Sequence, residues 1–247
     1  MSEHRSQNSG LNCRDYAISR QSLLGQTMLA SGCGVAGLLS YSTARGSSQA
    51  ESSDVPATPE EALRMLMDGN QRFAAGKSTA SNRDIDRVRE VSRGQKPFAA
   101  FLGCADSRVP IEIVFDQGFG DLFVTRIAGN VASSENIGSL EFGTQILGAK
   151  VLYVLGHTEC GAVSATMKGT DVPGQISGLF QHIRPAVKAA KGDLNRAILE
   201  NVRNQAVLLA EASPVISKMI QRRELIVAGG IYDLATGIVS SVDVPIL

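Results

Sequence analysis

The sequence predicts an α/β fold: a mostly parallel central sheet of four strands, an antiparallel edge strand, and helices on both faces. Three observations lead there. Four short runs, Phe98–Gly103, Leu122–Ile127, Val151–Gly156 and Leu225–Gly230, read as strands, and all but Leu122–Ile127 are apolar nearly throughout instead of alternating, as strands buried on both faces must be. Helical stretches separate them, the arrangement of a parallel sheet covered on both sides. A last run, Ile238–Val244, follows Tyr232-Asp233 and Thr236-Gly237, a turn signal that folds it back antiparallel at an edge.

The elements follow in order from Pro56. Thr58-Pro59-Glu60-Glu61 is a helix start, with Thr as the cap, Pro at the first helical position and acids in the first turn. Leu63, Leu66, Met67 and Phe73 then mark an apolar face that runs to Gly76. A charged helix covers Asp84–Arg93. Gly118 and Gly120 form the turn before the second strand. Further helices are expected over Ser134–Leu147, Ser177–Ala190 and Asn195–Ala210, and one more opens at Cys160 with Gly161 after it.

Lys and Arg number 24 against 24 Asp and Glu, so the formal charge is zero and there is no electrostatic ground for expecting nucleic acid. Arg222-Arg223, the one adjacent basic pair, reads as a solvated helix end. Residues 1–55 differ from the rest and read as a signal- or linker-like extension, removed or disordered, before a domain over 56–247. Arg14 and Arg20 precede an apolar stretch from Leu23 to Leu39, and small residues follow at Ser42-Thr43-Ala44 and Ser48-Gln49-Ala50, the outline of an export signal. Ser19-Arg20-Gln21-Ser22-Leu23-Leu24 looks like a twin-arginine signal whose second Arg has become Gln. Ala30-Ser31-Gly32-Cys33 lacks the Leu that opens a lipoprotein box, which argues against lipidation. The apolar run is short and interrupted by glycine, marginal for a lasting membrane span. Export to a periplasm or equivalent lumen is the expectation and a cytoplasmic extension the alternative, with membrane attachment through this segment left open.

The chemistry lies in Cys104-Ala105-Asp106-Ser107-Arg108 and His157-Thr158-Glu159-Cys160. Two thiolates and an imidazole suit Zn²⁺ with one coordination position open, whereas structural zinc sites close the tetrahedron with four protein ligands. Cys104 and His157 fall at the carboxyl ends of parallel strands, where open α/β sheets bind ligands. Cys160 falls at a helix N-terminus, where the dipole favours a thiolate. In an oxidising compartment, metal coordination would shield these thiols, and a Cys104–Cys160 disulfide is the hazard of the metal-free chain.

From Glu60 to the C-terminus the chain resembles the β-class carbonic anhydrases. The matching stretches are Gly69-Asn70-Gln71-Arg72-Phe73, Gly94-Gln95-Lys96-Pro97, Cys104 to Pro110, Asp121 to Arg126, Ala128-Gly129-Asn130, Gly156 to Gly161, and Tyr232-Asp233-Leu234 with Thr236-Gly237. The resemblance implies one zinc ion per subunit, held by Cys104, His157 and Cys160, and reversible hydration of CO₂ to bicarbonate and a proton through zinc-bound hydroxide. Asp106 would either pair with Arg108, leaving zinc open to water, or swing onto the metal as a fourth ligand in a closed form. In the open form Asp106 orients the hydroxide and Arg108 holds Asp106 by its two-pronged fork, which a Lys lacks. Gln95 would hydrogen-bond the substrate, commonly across a dimer interface, so a homodimer or higher homo-oligomer is implied. Phe123, Ala128 and Phe142 match positions that line the apolar CO₂ pocket. Two positions depart from the pattern. Ile127 stands where many members carry Asn, and Phe101 stands where the bicarbonate-inhibited subclass carries Trp, which favours the open type. His182 reads as a surface or interface residue, not a proton shuttle. Competing readings keep the zinc but change the role: hydrolysis of carbon disulfide or carbonyl sulfide, or a zinc-stabilised binding module without catalysis.

Overall fold

The computed structural model describes residues 56–169 and 171–245. The export-signal reading of residues 1–55 therefore lies outside the described residues. Among those described, no helix is long and apolar enough to cross a membrane.

The chain enters through α1 (Pro59–Ala74), whose start forms a capping box. The Glu61 amide donates to Thr58 Oγ1 at 3.2 Å, and Glu61 returns its carboxylate to the Thr58 amide. Next come α2 (Ile85–Val91), β1 (Ala99–Gly103), a single turn α3 (Ile111–Val114) and β2 (Leu122–Arg126). α4 (Ser134–Glu141) widens into a π-helical turn over Phe142–Ile146, so the helix expected to Leu147 changes its hydrogen-bond step before its end. β3 (Val151–His157), α5 (Gly161–Lys168), α6 (Ile176–Ala190), α7 (Leu194–Ala212), α8 (Pro214–Gln221), β4 (Ile226–Tyr232) and β5 (Val239–Val242) complete the order.

The sheet runs β2-β1-β3-β4-β5. Its first four strands are parallel, and β5 pairs antiparallel with β4, as the sequence pattern requires. β1 and β3 are buried at every position because both faces are covered. On one face Phe101, Tyr153 and Leu155 meet Leu66 of α1 and Phe115 after α3. There the rings of Phe101, Phe115 and Tyr153 lie 5.0–5.6 Å apart, so Phe101 is a core residue. On the other face Ala100, Leu102, Leu152 and Val154 pack on Leu140, Val202, Ala206, Leu209 and Ile216 from α4, α7 and α8. A third apolar cluster, with Val163, Ile183, Ala197 and Ile198, closes around Cys104 and Cys160 at the carboxyl end of the sheet.

Candidate metal centre

β1 and β3 are neighbours in register, with Gly103 opposite Leu155. Cys104, the residue after β1, and His157, the last of β3, therefore emerge side by side where adjacent strands lie about 4.8 Å apart. The chain then turns through Glu159, which takes a left-handed φ of 54°, and delivers Cys160 as the cap of α5. The end of β4 holds this turn: the Thr158 amide donates to the Tyr232 carbonyl at 3.0 Å, and Thr158 Oγ1 accepts from the Leu234 amide at 3.0 Å. The result is a buried group in which one ligand atom each from Cys104, His157 and Cys160 lies within 4.8 Å of the other two.

The imidazole shows what this group is for. His157 Nδ1 stands 2.8 Å from the Thr158 carbonyl oxygen, which can only accept, so Nδ1 carries the proton. Nε2 is then a bare lone pair, and it is buried with no hydrogen-bond partner among the described residues. Leaving such an atom unmatched costs about 1–3 kcal/mol, which coordination to a cation would remove. The fixed tautomer is the one a metal-ligating histidine requires.

Both cysteines are free thiols. The neighbouring Cys160 thiol holds the Cys104 pKa well below its ordinary value, with help from His157 and the Gly129 amide and against the effect of burial. The same contact and burial push Cys160 up, so the pair yields one thiolate readily and its second proton only to a competing cation. Burial disfavours a charged His157, but the neighbouring Cys104 sulfur outweighs it and raises the pKa. Two soft sulfurs and one imidazole, with no fourth protein ligand among the described residues, fit zinc with a position left open.

Asp106 stands at the rim. Its Oδ1 accepts from the Arg108 amide and Nε, both at 2.9 Å, and Oδ2 accepts from Arg108 Nη2 at 2.8 Å. The guanidinium holds the Asp106 carboxyl well below the usual carboxylate range. Oδ2 also lies 3.8 Å from His157 Nε2, close to the metal position without belonging to the ligand group. Arg126, at the end of β2, braces the same loop by donating to the Cys104 carbonyl at 3.0 Å and the Asp106 carbonyl at 2.6 Å. Sequence reasoning placed Arg126 and Gly129 within matching stretches but gave neither a role. The Gly129 amide donates to Cys104 Sγ at 3.3 Å, and a Cβ on Gly129, whose φ is 76°, would meet Ile183 Cδ1 at 2.7 Å.

The remaining expected residues are not drawn into this group. Gln95 lies exposed between α2 and β1 and makes no hydrogen bond to Cys104, Asp106, His157 or Cys160. Phe123 on β2 and Phe142 on the π-helical turn stack with centroids 6.3 Å apart, Phe142 being 47% exposed. Ala128 lies in the half-buried loop after β2, next to Gly129. His182 is half-buried on α6, its Nε2 3.3 Å from the Gln181 amide nitrogen.

The chain is similar to known proteins. Residues 99–239 match the family model for carbonic anhydrase. Carbonic anhydrase 2 of Mycobacterium tuberculosis is 36% identical over 187 residues, 72% of this chain and 90% of the relative. The carbonic anhydrase of Mycolicibacterium smegmatis is 35% identical over 189 residues, 73% of this chain and 92% of the relative. Among solved structures, the β-carbonic anhydrase CcaA superposes with a TM-score of 0.59 at 26% identity, covering 73% of this chain and 87% of that one. The Coccomyxa β-carbonic anhydrase in complex with acetazolamide gives 0.56 at 28%, covering 75% and 86%. Cys104, Asp106, Arg108, His157 and Cys160 all fall inside the matched span, and the chain belongs to the β class of the carbonic anhydrase family.

Proposed function

We propose that this protein catalyses the reversible hydration of CO₂ to bicarbonate and a proton. The observation that carries the reading is the buried, unpartnered Nε2 of His157 beside two free thiols, with an Asp106–Arg108 pair at the rim. Zinc held by Cys104, His157 and Cys160 would supply the Lewis acidity that brings a water pKa from 15.7 to about 7, the value established for carbonic anhydrase itself.

The chain's own residues do the rest. Asp106 is anionic at any neutral pH, and its Oδ2 is placed to accept a hydrogen bond from the attacking oxygen and aim a lone pair at the CO₂ carbon. Arg108 occupies both oxygens of Asp106 and so keeps the carboxylate from becoming a fourth ligand. Its second reach, from Nη2 to the Glu159 carbonyl at 3.5 Å, ties the Cys104 loop to the Cys160 turn.

Gln95 and the oligomer belong to the same proposal. Gln95 is exposed, and β2 is an edge strand with β1 on one side only. Both features support a homodimer in which Gln95 donates to the substrate of the partner's site, with Phe123, Ala128 and Phe142 along the apolar approach. Export to a periplasm or equivalent lumen rests on the basic, apolar and small-residue order of residues 14–50, and cell fractionation of the native chain tests it.

Stopped-flow CO₂ hydration by the zinc-loaded protein from pH 6.5 to 9, beside Asp106→Ala, tests the activity. High wild-type activity across the range, lost in the variant, is the expected result. Activity confined to pH above about 8 would mean that Asp106 closes the metal site. No activity at any pH would refute CO₂ hydration and direct attention to carbon disulfide and carbonyl sulfide.

A further inference from the structure

We infer that Asn201 and Gln205 of α7 are positioning residues for the metal centre, acting through Gly129 on the Cys104 sulfur. The inference rests on reading Cys104, His157 and Cys160 as a zinc site and adds two residues to it.

Both side chains are amides one helical turn apart on a face that is otherwise apolar. Asn201 is 1% exposed and Gln205 2%, among Ala197, Ile198, Val202, Ala206 and Leu209. Burying two amides in a core is unfavourable unless each polar atom finds a partner. Here two of the partners, the Gly129 carbonyl and the Ala132 amide, sit on the loop whose Gly129 amide meets Cys104. Asn201 Nδ2 donates to the Gly129 carbonyl at 2.9 Å. Gln205 Oε1 accepts from the Ala132 amide at 2.8 Å, and Gln205 Nε2 donates to Asn201 Oδ1 at 3.3 Å and to the His182 carbonyl at 3.2 Å. The Gly129 carbonyl can only accept and the Ala132 amide can only donate, so the orientation of each amide is determined and the two are mutually consistent.

Gly129 is thereby held from two sides. Its carbonyl is fixed by Asn201, while its amide donates to Cys104 Sγ at 3.3 Å. The loop needs such support because its own conformation is unfavourable. Gly129 and Asn130 have successive positive φ values of 76° and 43°, and the buried Nδ2 of Asn130 has no partner among the described residues. Ile183 and Ala162 crowd the space above Gly129, so a displaced peptide has little room to settle elsewhere. Without the Asn201 amide, the buried Gly129 carbonyl would have to turn toward another donor and carry its N–H away from the sulfur. An N–H···S bond draws charge from a thiolate, so the network sets both the place and the donor strength of the Cys104 ligand. Apolar side chains could fill the same volume but could not fix that peptide.

The test uses the full chain, metal-free and then loaded. Zn²⁺ affinity is measured by competition with a chromophoric chelator, and Co²⁺ substitution reads the thiolate-to-metal charge-transfer band. Asn201→Leu, close in volume but without the amide, is expected to weaken Zn²⁺ binding about 10–100-fold and shift the cobalt band. Gln205→Leu should move both readouts in the same direction, and it carries the test alone if Asn201→Leu does not fold. Leu209→Ala, two turns along the same helix, should lower Tm at least as far while leaving affinity and spectrum unchanged. Zn²⁺ affinity within about twofold of wild type and an unchanged cobalt band in the folded amide variants would overturn the inference while leaving the zinc site standing. A Leu209→Ala shift equal to theirs would reduce the two amides to ordinary core residues. A wild-type chain that takes up no Zn²⁺ would overturn the site reading and the inference together.

Discussion

Two aspartates, one at each end of the sheet, show how the same residue type serves opposite ends. Asp116 lies beyond the amino end, on the loop into β2, and its side chain is fully buried. Its carboxylate accepts from Arg72 Nε at 2.8 Å, from the Thr79 amide and hydroxyl, and from the Ala80 amide, with Arg83 also 3.6 Å away. Both oxygens are used, Oδ2 by three donors and Oδ1 by the Ala80 amide, and the product is a clasp that fastens residues 79–83 to α1 and α3. Asp106 lies at the carboxyl end, partly open to solvent, with a single arginine as its charged partner. One of its oxygens faces the histidine nitrogen that no described residue satisfies. Satisfied polar groups build the amino end, and unfinished ones mark the carboxyl end as the place where chemistry occurs.

That contrast can be broken by substitution. Cys160→Ala should have the largest effect, abolishing Zn²⁺ retention and CO₂ hydration together, as metal analysis and stopped-flow would show. Asp106→Ala should lower kcat/KM about 100-fold or more at pH 7.5 with metal content and Tm kept, because only the orientation of the attacking oxygen is lost. Should Tm fall steeply instead, Asp106 would be a clasp like Asp116. Arg108→Lys keeps the charge without the planar fork and should cost about 10-fold in kcat, with zinc retained. A mixture of Gln95→Ala and Asp106→Ala protomers sharpens the dimer reading, since a hybrid pair would regain one intact site. Recovery of activity on mixing, after exchange is verified by mass spectrometry, is the expected result; activity that stays at the level of the separate variants would place Gln95 outside the partner's site.

The smallest effect on activity, and the clearest on stability, belongs to Asp116→Asn. Burial raises the Asp116 pKa, but the Thr79 and Ala80 amides and the Arg72 guanidinium outweigh it, so the folded value lies below the ordinary one. A depressed carboxyl contributes stability that is complete above its unfolded pKa of about 3.9 and is lost as pH falls through the folded value. Wild-type Tm should therefore drop more steeply than that of Asp116→Asn below about pH 4. At pH 7 the variant should be less stable by about 1–3 kcal/mol while keeping its activity per bound zinc. A full loss of activity at unchanged Tm would erase the distinction between the two ends.

Much of the site was legible in the sequence because its signals are local. Cys104, His157 and Cys160 sit where apolar runs stop, and Asp106 and Arg108 are two residues apart, so residue type and position carry the chemistry. Asn201 and Gln205 were not legible: in an amphipathic pattern a polar residue counts toward the solvent face, and nothing local says that these two are buried. The same limit hid α3, too short to show a period, and the π-helical turn at Phe142–Ile146, which reads as ordinary helix, while α8 was legible only by its basic end at Arg222-Arg223. Thr58 and Glu61 were readable because a capping box closes within four residues.

By itself the sequence determined the strands, through apolar runs that cannot face water, the helix start at Thr58, and the three metal-binding residue types with their open coordination. These follow from solvation and from donor chemistry, which act residue by residue. Only the tertiary structure decided that β1 lies beside β3, so that Cys104 meets His157, and that the Thr158 carbonyl leaves Nε2 free. It alone decided that α7 reaches across to hold Gly129 against the Cys104 sulfur. Strand order and buried hydrogen bonds join residues tens of positions apart, and their free energy exists only when the whole core has closed around them.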